Sequence, residues 1–175
     1  MVYAGRTGRR ICRCVLIGGR RGGGRTARPL NEYDTAAIVH APAANVWRIL
    51  TDAAGYEKWN PEIVGVEGRF DRGERIRVRV KLGDGAIRSL TLRVTSFTAP
   101  SSMEWTGGLP FGLFVGRRIM TVVPRGEDTE FRMHLSMTGP LAAAILRSVG
   151  DRQPEIDSFS AALKKYAEGQ GRSGG

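Results

Sequence analysis

The strongest constraint on the fold is a strict alternation of apolar and polar side chains that recurs through the middle of the chain. It is clearest over residues 75–82, where arginine or lysine alternates with Ile76, Val78, Val80 and Leu82. Successive side chains of an extended strand point to opposite faces, so this spacing places all the apolar groups on one face. The segment is therefore predicted to be a strand with one buried and one solvated face.

The same alternation returns in later segments. The apolar positions are Leu90, Leu92 and Val94, then Met103 and Trp105, then residues 119–123, and last Phe131, Met133, Leu135 and Met137. Turn signals at Gly83-Asp84-Gly85 and at residues 124–128 separate neighbouring segments. With a first strand at Ala37, Val39 and Ala41, the pattern predicts an antiparallel sheet of about seven strands that is wetted on one side.

Two short helical segments follow the first strand. Pro42 suits the first position of a helix, where its missing N–H costs nothing. Val46, Trp47 and Leu50 then fall on one face of that helix. Asp52 is placed to cap a second short turn, which Asn60-Pro61 ends.

A long helical segment begins at Pro140, and its apolar residues are spaced by three and four positions. These residues are Leu141, Ile145, Leu146, Val149, Ile156, Phe159, Leu163 and Tyr166. Such spacing defines one buried stripe, while Gly150 and Pro154 predict a kink or a break within the segment. A sheet with one apolar face must be covered, and this stripe is the element available to cover it.

The basic charge of the chain is concentrated in its first thirty residues. The formal net charge is +10, yet residues 1–30 contain eight arginines and no acid, whereas the rest of the chain is nearly balanced. This segment is rich in Gly and Arg and has no sustained apolar periodicity. It is therefore predicted to be a disordered extension, or upstream sequence from a mis-called start, with an RNA-binding Arg/Gly arm as the alternative.

The cysteines and the apolar runs exclude several classes of protein. Cys12 and Cys14 form a lone pair without the further ligands of a tetrahedral metal site, so we expect no metal and no other cofactor. No apolar run approaches the ~18–20 residues that span a bilayer. The short apolar run near Cys14 is interrupted by Arg13 and is too short for a secretion signal. We therefore expect a cytoplasmic protein.

Two segments carry a resemblance to a known family. The stretch from Val39 to Asp52, followed by Tyr56 and Trp59-Asn60-Pro61, resembles the opening signature of the START-like (SRPBCC) polyketide cyclase/dehydrase and lipid-transport family. The ending, with Phe159, Leu163-Lys164 and Ala167-Glu168, resembles the C-terminal helix of that family. The resemblance covers the whole domain, which we place at residues 31–168, with 169–175 as a flexible tail.

The resemblance implies an α+β, helix-grip fold. In that fold a curved antiparallel sheet of about seven strands wraps around a long C-terminal helix, and two short helices follow the first strand. It further implies an elongated, mostly apolar cavity between sheet and helix. Relatives bind lipids, sterols, polyketides, plant hormones or aromatic pigments, and only some of them are enzymes, so the fold does not decide the function.

Few side chains are candidates for acid–base chemistry in such a cavity. His40 and His134 have the parity of the solvated face, and the inward rows that can be assigned hold no carboxylate. Arg117 or Arg118 must point inward if its strand alternates strictly, and an inward arginine can bind a carboxylate or a phosphate or orient a carbonyl. Together with Tyr56, these two arginines are the weak catalytic candidates.

Apolar, aromatic and methionine side chains are the better candidates for ligand contact. They are Trp59, Trp105, Leu109, Phe111, Phe114, Met133, Leu135, Met137, Leu146, Phe159 and Leu163. Residues 107–114 read as an apolar, glycine-rich loop in which Phe111 and Phe114 could act as a lid. Thioethers adapt to irregular shapes, which favours Met133 and Met137 as cavity-lining residues.

Three functions remain open on the sequence alone. The first is a binding or carrier protein for a small hydrophobic ligand, and the second is a cyclase/dehydrase-type enzyme acting on an aromatic or polyketide substrate. The third is an RNA- or ribosome-associated protein that uses the basic tail and an arginine stripe, formed by Arg75, Arg77 and Arg79 with Arg88 and Arg93. No DNA partner is expected, and either a monomer or a homodimer fits.

Overall fold

The structure, a computed structural model, describes residues 31–81 and 85–171. Its helices and strands are β1 (Glu32–Val39), α1 (Ala43–Thr51), α2 (Tyr56–Trp59), β2 (Ile63–Glu67), β3 (Arg75–Lys81), β4 (Ile87–Thr98), β5 (Ser102–Leu109), β6 (Phe114–Arg125), β7 (Asp128–Thr138), α3 (Ala142–Val149) and α4 (Gln153–Gly171). Three parts of the predictions lie outside the described residues: the basic tail with Cys12 and Cys14; the strand residue Leu82 with the turn residues Gly83 and Asp84; and residues 172–175.

The seven strands form one antiparallel sheet in the order β1-β7-β6-β5-β4-β3-β2. Helix α4 packs against β1, β7 and α1, and α2 packs against β2. This arrangement confirms the predicted α+β, helix-grip fold, with its long C-terminal helix and two short helices after the first strand. The face of the sheet that is turned toward α4 is called the concave face below.

The alternation in sequence places the strands as predicted, although Leu90 of β4, expected on the buried face, is 47% exposed. In β3, Ile76, Val78 and Val80 are buried and the basic residues between them are exposed. One segment differs from the prediction, because Gly107 and Gly108 belong to β5 and pair with Gly116 and Val115 of β6. Ladder hydrogen bonds therefore extend almost to the tip of this hairpin, and the expected loop over residues 107–114 shrinks to a turn between Leu109 and Phe114.

The first helices confirm their sequence signals. Pro42 is the N-cap of α1, one residue before the first helical position. Val46, Trp47 and Leu50 are buried, as the spacing predicted. Asp52 accepts a hydrogen bond from the backbone N–H of Gly55 at 3.1 Å, which caps the 3-10 turn that leads into α2.

The C-terminal segment breaks where Gly150 and Pro154 predicted it. Gly150 has a φ of 76°, which favours glycine, and separates α3 from α4. The predicted single stripe is wrong for its first half, since Leu141 and Val149 are 39% and 46% exposed. The backbone N–H of Leu141 donates to the carbonyl of Leu113 at 2.9 Å, so α3 begins beside the β5–β6 turn. In the second half, on α4, Ile156, Phe159 and Leu163 are buried and Tyr166 is half-buried.

Candidate functional site

The concave face of β5, β6 and β7 is built from rows of residues that pair across the strands. The methionine row holds Met103, Met120 and Met133; the Arg118 row holds Trp105, Arg118 and Leu135; the glycine row holds Gly107, Gly116 and Met137; and the rim holds Leu109 and Phe114. Exposure grows along this order. The methionine row is 1% exposed or less, Leu135 is 6% exposed, Met137 and Phe114 are half-buried, and Leu109 is 46% exposed. The rows thus lead from a closed core to an open apolar rim.

A cluster of charged side chains stands over the Arg118 row. An Nη of Arg118 donates to Glu155 of α4 at 2.9 Å, and Arg152 forms an ion pair with the same carboxylate. The guanidinium carbon of Arg118 lies 5.7 Å from the ring centre of Phe159. Arg118 and Glu155 are each only 15% exposed. We call Arg118, Arg152, Glu155 and the half-buried Glu62 the charge cluster.

Burial shifts the protonation equilibria of this cluster. It lowers the pKa of Arg118 and of Arg152, because removal from water disfavours their charged forms. Burial also raises the pKa of the Glu62 carboxyl, although both arginines act in the opposite direction. Glu62 is therefore easier to protonate than a solvated glutamate.

Two buried hydrogen-bond donors of this region have no partner. The Nε of Arg152 and the indole Nε1 of Trp105 are both buried and have no hydrogen-bond partner. Trp105 stands directly opposite Arg118 in the β5–β6 ladder. A buried donor without a partner typically costs ~1–3 kcal/mol. The site therefore contains N–H groups that can donate hydrogen bonds to further oxygen atoms.

Tyr56 lies at the centre of the aromatic core. It is fully buried, and its hydroxyl donates to the carbonyl of Leu50 at 2.9 Å. Its ring centre is 5.0 Å from that of Trp59 and 6.0 Å from that of Trp105. Burial raises the pKa of its hydroxyl. Tyr56 is thus a neutral core residue whose hydroxyl proton is already used in the hydrogen bond to the Leu50 carbonyl.

The structure separates the two arginine candidates. Arg118 shares the concave face with Trp105, whereas the next-door Arg117 lies on the opposite face and binds Glu104 at 2.5 Å. That contact lowers the pKa of Glu104. Only Arg118 can therefore meet a ligand inside the fold.

The predicted ligand-contact residues fall into three groups by exposure. Buried are Trp59, Trp105, Met133, Leu135, Phe159 and Leu163; half-buried are Phe114, Met137 and Leu146; exposed are Leu109 and Phe111. Phe114 lies over the glycine row, with ring atoms 3.8 Å from the position of a Cβ at Gly116. Phe111 is 100% exposed, so it covers nothing in this conformation.

Both histidines lie away from the concave face. His40 contacts Asp128 at 3.1 Å, and His134 contacts Asp34 at 2.7 Å. His40 is exposed and His134 is half-buried. Neither is placed to exchange a proton with a ligand beside Arg118.

Sequence reasoning missed the carboxylates of the charge cluster. The inward strand rows hold none, as expected, but Glu155 comes from the first turn of α4 and Glu62 from the residue before β2. The spacing of Arg152 and Glu155 by three residues was the one available signal. It was uninformative alone, because charges at the start of a helix usually face water.

Two surface grooves lie outside this region. One of about 730 Å³ runs between α2 and α4, beside Trp59 and Tyr166. Another of about 380 Å³ lies between strands β1, β6 and β7, beside His134. Neither is lined by the charge cluster or the glycine row.

Residues 31–81 and 85–171 contain neither a cluster of metal-ligating side chains nor a membrane-spanning helix. In that part of the chain, no three His, Cys, Asp or Glu side chains are grouped so as to hold a metal ion. None of its helices is both long and apolar enough to cross a bilayer.

The family can now be decided. Residues 31–168 match the family described as polyketide cyclase / dehydrase and lipid transport. The chain belongs to this polyketide cyclase/dehydrase and lipid-transport family. A comparison with curated proteins gives no match.

Several solved structures share this fold. The Zhui aromatase/cyclase from Streptomyces sp. R1128 has 20% sequence identity and a TM-score of 0.66, covering 82% of this chain and 98% of its own. A START superfamily protein from Mycobacterium smegmatis has 19% identity and a TM-score of 0.61, covering 80% and 99%. A protein from Thermus thermophilus has 19% identity and a TM-score of 0.62, covering 79% and 98%. At these identities the likeness establishes the fold alone.

Proposed function

We propose that this family member binds a small, mostly hydrophobic ligand of lipid, polyketide or aromatic type between the concave face and the helices α3 and α4. The observation that carries the proposal is the order of the rows. An exposed apolar rim leads past two glycines to a buried charge cluster. This order suits a ligand with a long apolar body and one oxygen-bearing end.

The glycine row is the proposed place for the body of the ligand. Gly107 and Gly116 face each other across β5 and β6, so neither strand sends a side chain into this level of the concave face. The space is filled by flexible neighbours, since the end of the Leu92 side chain occupies the position that a Cβ at Gly107 would need. Rotation of Leu92 and Phe114 would open it without a change in the sheet.

The charge cluster is the proposed place for the oxygen-bearing end. The unpaired N–H groups of Arg152 and Trp105 require acceptors, and Arg118 can add a further donor. A carbonyl or carboxylate oxygen accepts from such groups, and donors that are already desolvated bind it strongly. An unfunctionalised hydrocarbon would leave them unpaired, so we expect it to bind more weakly.

The enzyme of cyclase/dehydrase type is the second candidate, and one observation favours it. Glu62 is a half-buried carboxyl whose pKa is raised by burial despite the nearby Arg152 and Arg118, and a carboxyl whose pKa is shifted toward the working pH is suited to accept and return a proton. In this scheme Arg118 polarises a ligand carbonyl while Glu62 removes a proton from the neighbouring carbon. The RNA-binding hypothesis depends on the basic tail, which lies outside the described residues, and on the arginine stripe. In that stripe Arg75 pairs with Arg93, but Arg88 pairs with the buried Val80 and so lies on the other face of the sheet.

The deciding experiment is native mass spectrometry of the full chain, followed by solvent extraction of any bound molecule. Gly116→Phe fills the glycine row, and Thr106→Phe is its control, because Thr106 lies on the opposite face of β5. We expect the wild type and Thr106→Phe to carry the ligand and Gly116→Phe to lose it while retaining a cooperative melt. Equal retention by both variants, or no retained molecule and no binding from a panel of fatty acids and aromatic ketones, would reject the proposal.

The same material separates carrier from enzyme. The extracted ligand is incubated with wild type and with Glu62→Gln, and the products are examined for a loss of water or a ring closure. An enzyme gives conversion that Glu62→Gln abolishes while binding persists. A carrier returns the ligand unchanged in both cases.

A further inference from the structure

One end of the domain carries an unusual concentration of exposed apolar side chains. We call the residues Leu109, Phe111, Leu113 and Leu141 the apolar tip. Phe111 is 100% exposed and the other three are between 39% and 46% exposed. The hydrogen bond from Leu141 to Leu113 holds the start of α3 against the β5–β6 turn. Apolar surface of this kind in one place marks a contact with something outside the chain.

The backbone at Phe111 strengthens this conclusion. Its φ is 58°, in the left-handed region that glycine or asparagine occupies easily and a bulky side chain does not. The aromatic ring therefore sits at a strained position, and its full exposure means that it stabilises nothing within the domain. The ring can therefore contribute favourable free energy only by contacting a surface outside the domain.

The shape and charge of the apolar tip indicate what that surface is. Phe111 projects from a tight turn, so it offers a single protruding ring rather than the flat patch of roughly 800 Å² per partner that stable protein interfaces use. Residues 107–116 and 137–150 contain no acid, and Arg147 is their single charged residue. A deformable lipid surface accepts a protruding aromatic ring, and anionic headgroups tolerate an arginine beside it.

We propose that the apolar tip docks the protein on a lipid bilayer, with Phe111 inserted at the level where headgroups meet acyl chains. This surface role is additional to the proposed ligand binding and does not depend on it. It places the rim of the concave face, through Leu109, next to the lipid. The eight arginines of residues 1–30 add an electrostatic attraction to anionic lipid, and this attraction does not require insertion of Phe111.

The test is co-sedimentation of the full chain with vesicles of phosphatidylcholine alone and of equal parts phosphatidylcholine and phosphatidylglycerol. Phe111→Asn removes the ring but suits the left-handed backbone, so the variant should melt at or above the wild-type temperature. Ile87→Asn is the matched control, because Ile87 is 60% exposed at the start of β4 and lies outside the apolar tip. High salt suppresses the contribution of the basic tail.

At high salt we expect Phe111→Asn to bind vesicles about tenfold more weakly or worse, a loss that matches the transfer of one aromatic ring out of lipid. Ile87→Asn should bind like wild type. Three results would overturn the proposal: no vesicle binding by wild type, equal binding by Phe111→Asn and wild type, or loss of a lipid-independent dimer as the sole effect of Phe111→Asn.

Discussion

Replacing Arg118 by Met tests how the charge cluster is held together. Methionine keeps the apolar length that lies against Phe159, but it removes the hydrogen bond to Glu155 at 2.9 Å. A hydrogen bond between charged groups contributes ~1.5–3 kcal/mol. Part of this lost stability is offset, because folding of the variant no longer has to remove a guanidinium from water. Glu155 keeps Arg152 as a partner, so we expect a loss of ~1–2 kcal/mol in the free energy of unfolding rather than the ~3–5 kcal/mol of an abandoned buried charge.

Glu155→Gln should cost more than Arg118→Met, about 3 kcal/mol, because it leaves two buried guanidinium groups without their shared anion. In the double variant one of those arginines is already gone. We therefore expect the double variant to lose ~1.5 kcal/mol less than the sum of the single losses. Urea unfolding at neutral pH measures all four proteins. Additivity within ~0.5 kcal/mol would refute the contact between Arg118 and Glu155.

Two further predictions concern single side chains. The pKa of Glu62 is raised above its ordinary value of 4.5. Between that value and the raised pKa, the folded state binds more protons than the unfolded chain. The free energy of unfolding therefore falls as the pH rises through this window. Glu62→Gln should therefore be more stable than wild type at neutral pH, with the difference vanishing below pH 4.5 in thermal melts; a pH-independent difference would contradict the pKa shift. The buried Thr129 hydroxyl donates to the carbonyl of Ala41 at 2.6 Å. Thr129→Val should lower the free energy of unfolding by ~1–2 kcal/mol in urea, whereas Thr121→Val on the outer face should not, and equal effects would argue against this hydrogen bond.

The sheet and the buried half of the C-terminal helix were predictable because their periodicity is local. In β3 and β7 every second residue is apolar, and successive side chains of a strand point to opposite faces. The alternation therefore identifies the buried face along the whole strand. Helix α4 is similar, since Ile156, Phe159 and Leu163 repeat at helical spacing and all three are buried. The resemblance then fixed the order of strands and helices, which periodicity alone leaves open.

The same reasoning failed where the contacts are non-local. Leu141 and Val149 continue the apolar spacing of α4, yet they are exposed because the break at Gly150 gives α3 its own direction beside the β5–β6 turn. Glu155, from the helix after the strands, forms an ion pair with Arg118, and Glu62, from the residue before β2, is within electrostatic reach of it. No pattern along the chain joins these three positions. Strand parity could show that one of Arg117 and Arg118 points inward, but only the pairing with Trp105 identifies which.

The break between α3 and α4 separates a helix that stabilises the core from a helix that borders the rim. The apolar side chains of α4 close the core through Ile156, Phe159 and Leu163, and its first turn supplies Glu155 to the charge cluster. In contrast, Ala142 is the only buried residue of α3; Ile145 and Leu146 are half-buried, and Ala143, Ala144 and Val149 are exposed. Entry of a ligand past the rim would therefore move α3 while α4 and the core stay in place. A bilayer that covers the exposed face of α3 and the ring of Phe111 would favour the same movement, since it would solvate apolar groups that water now surrounds.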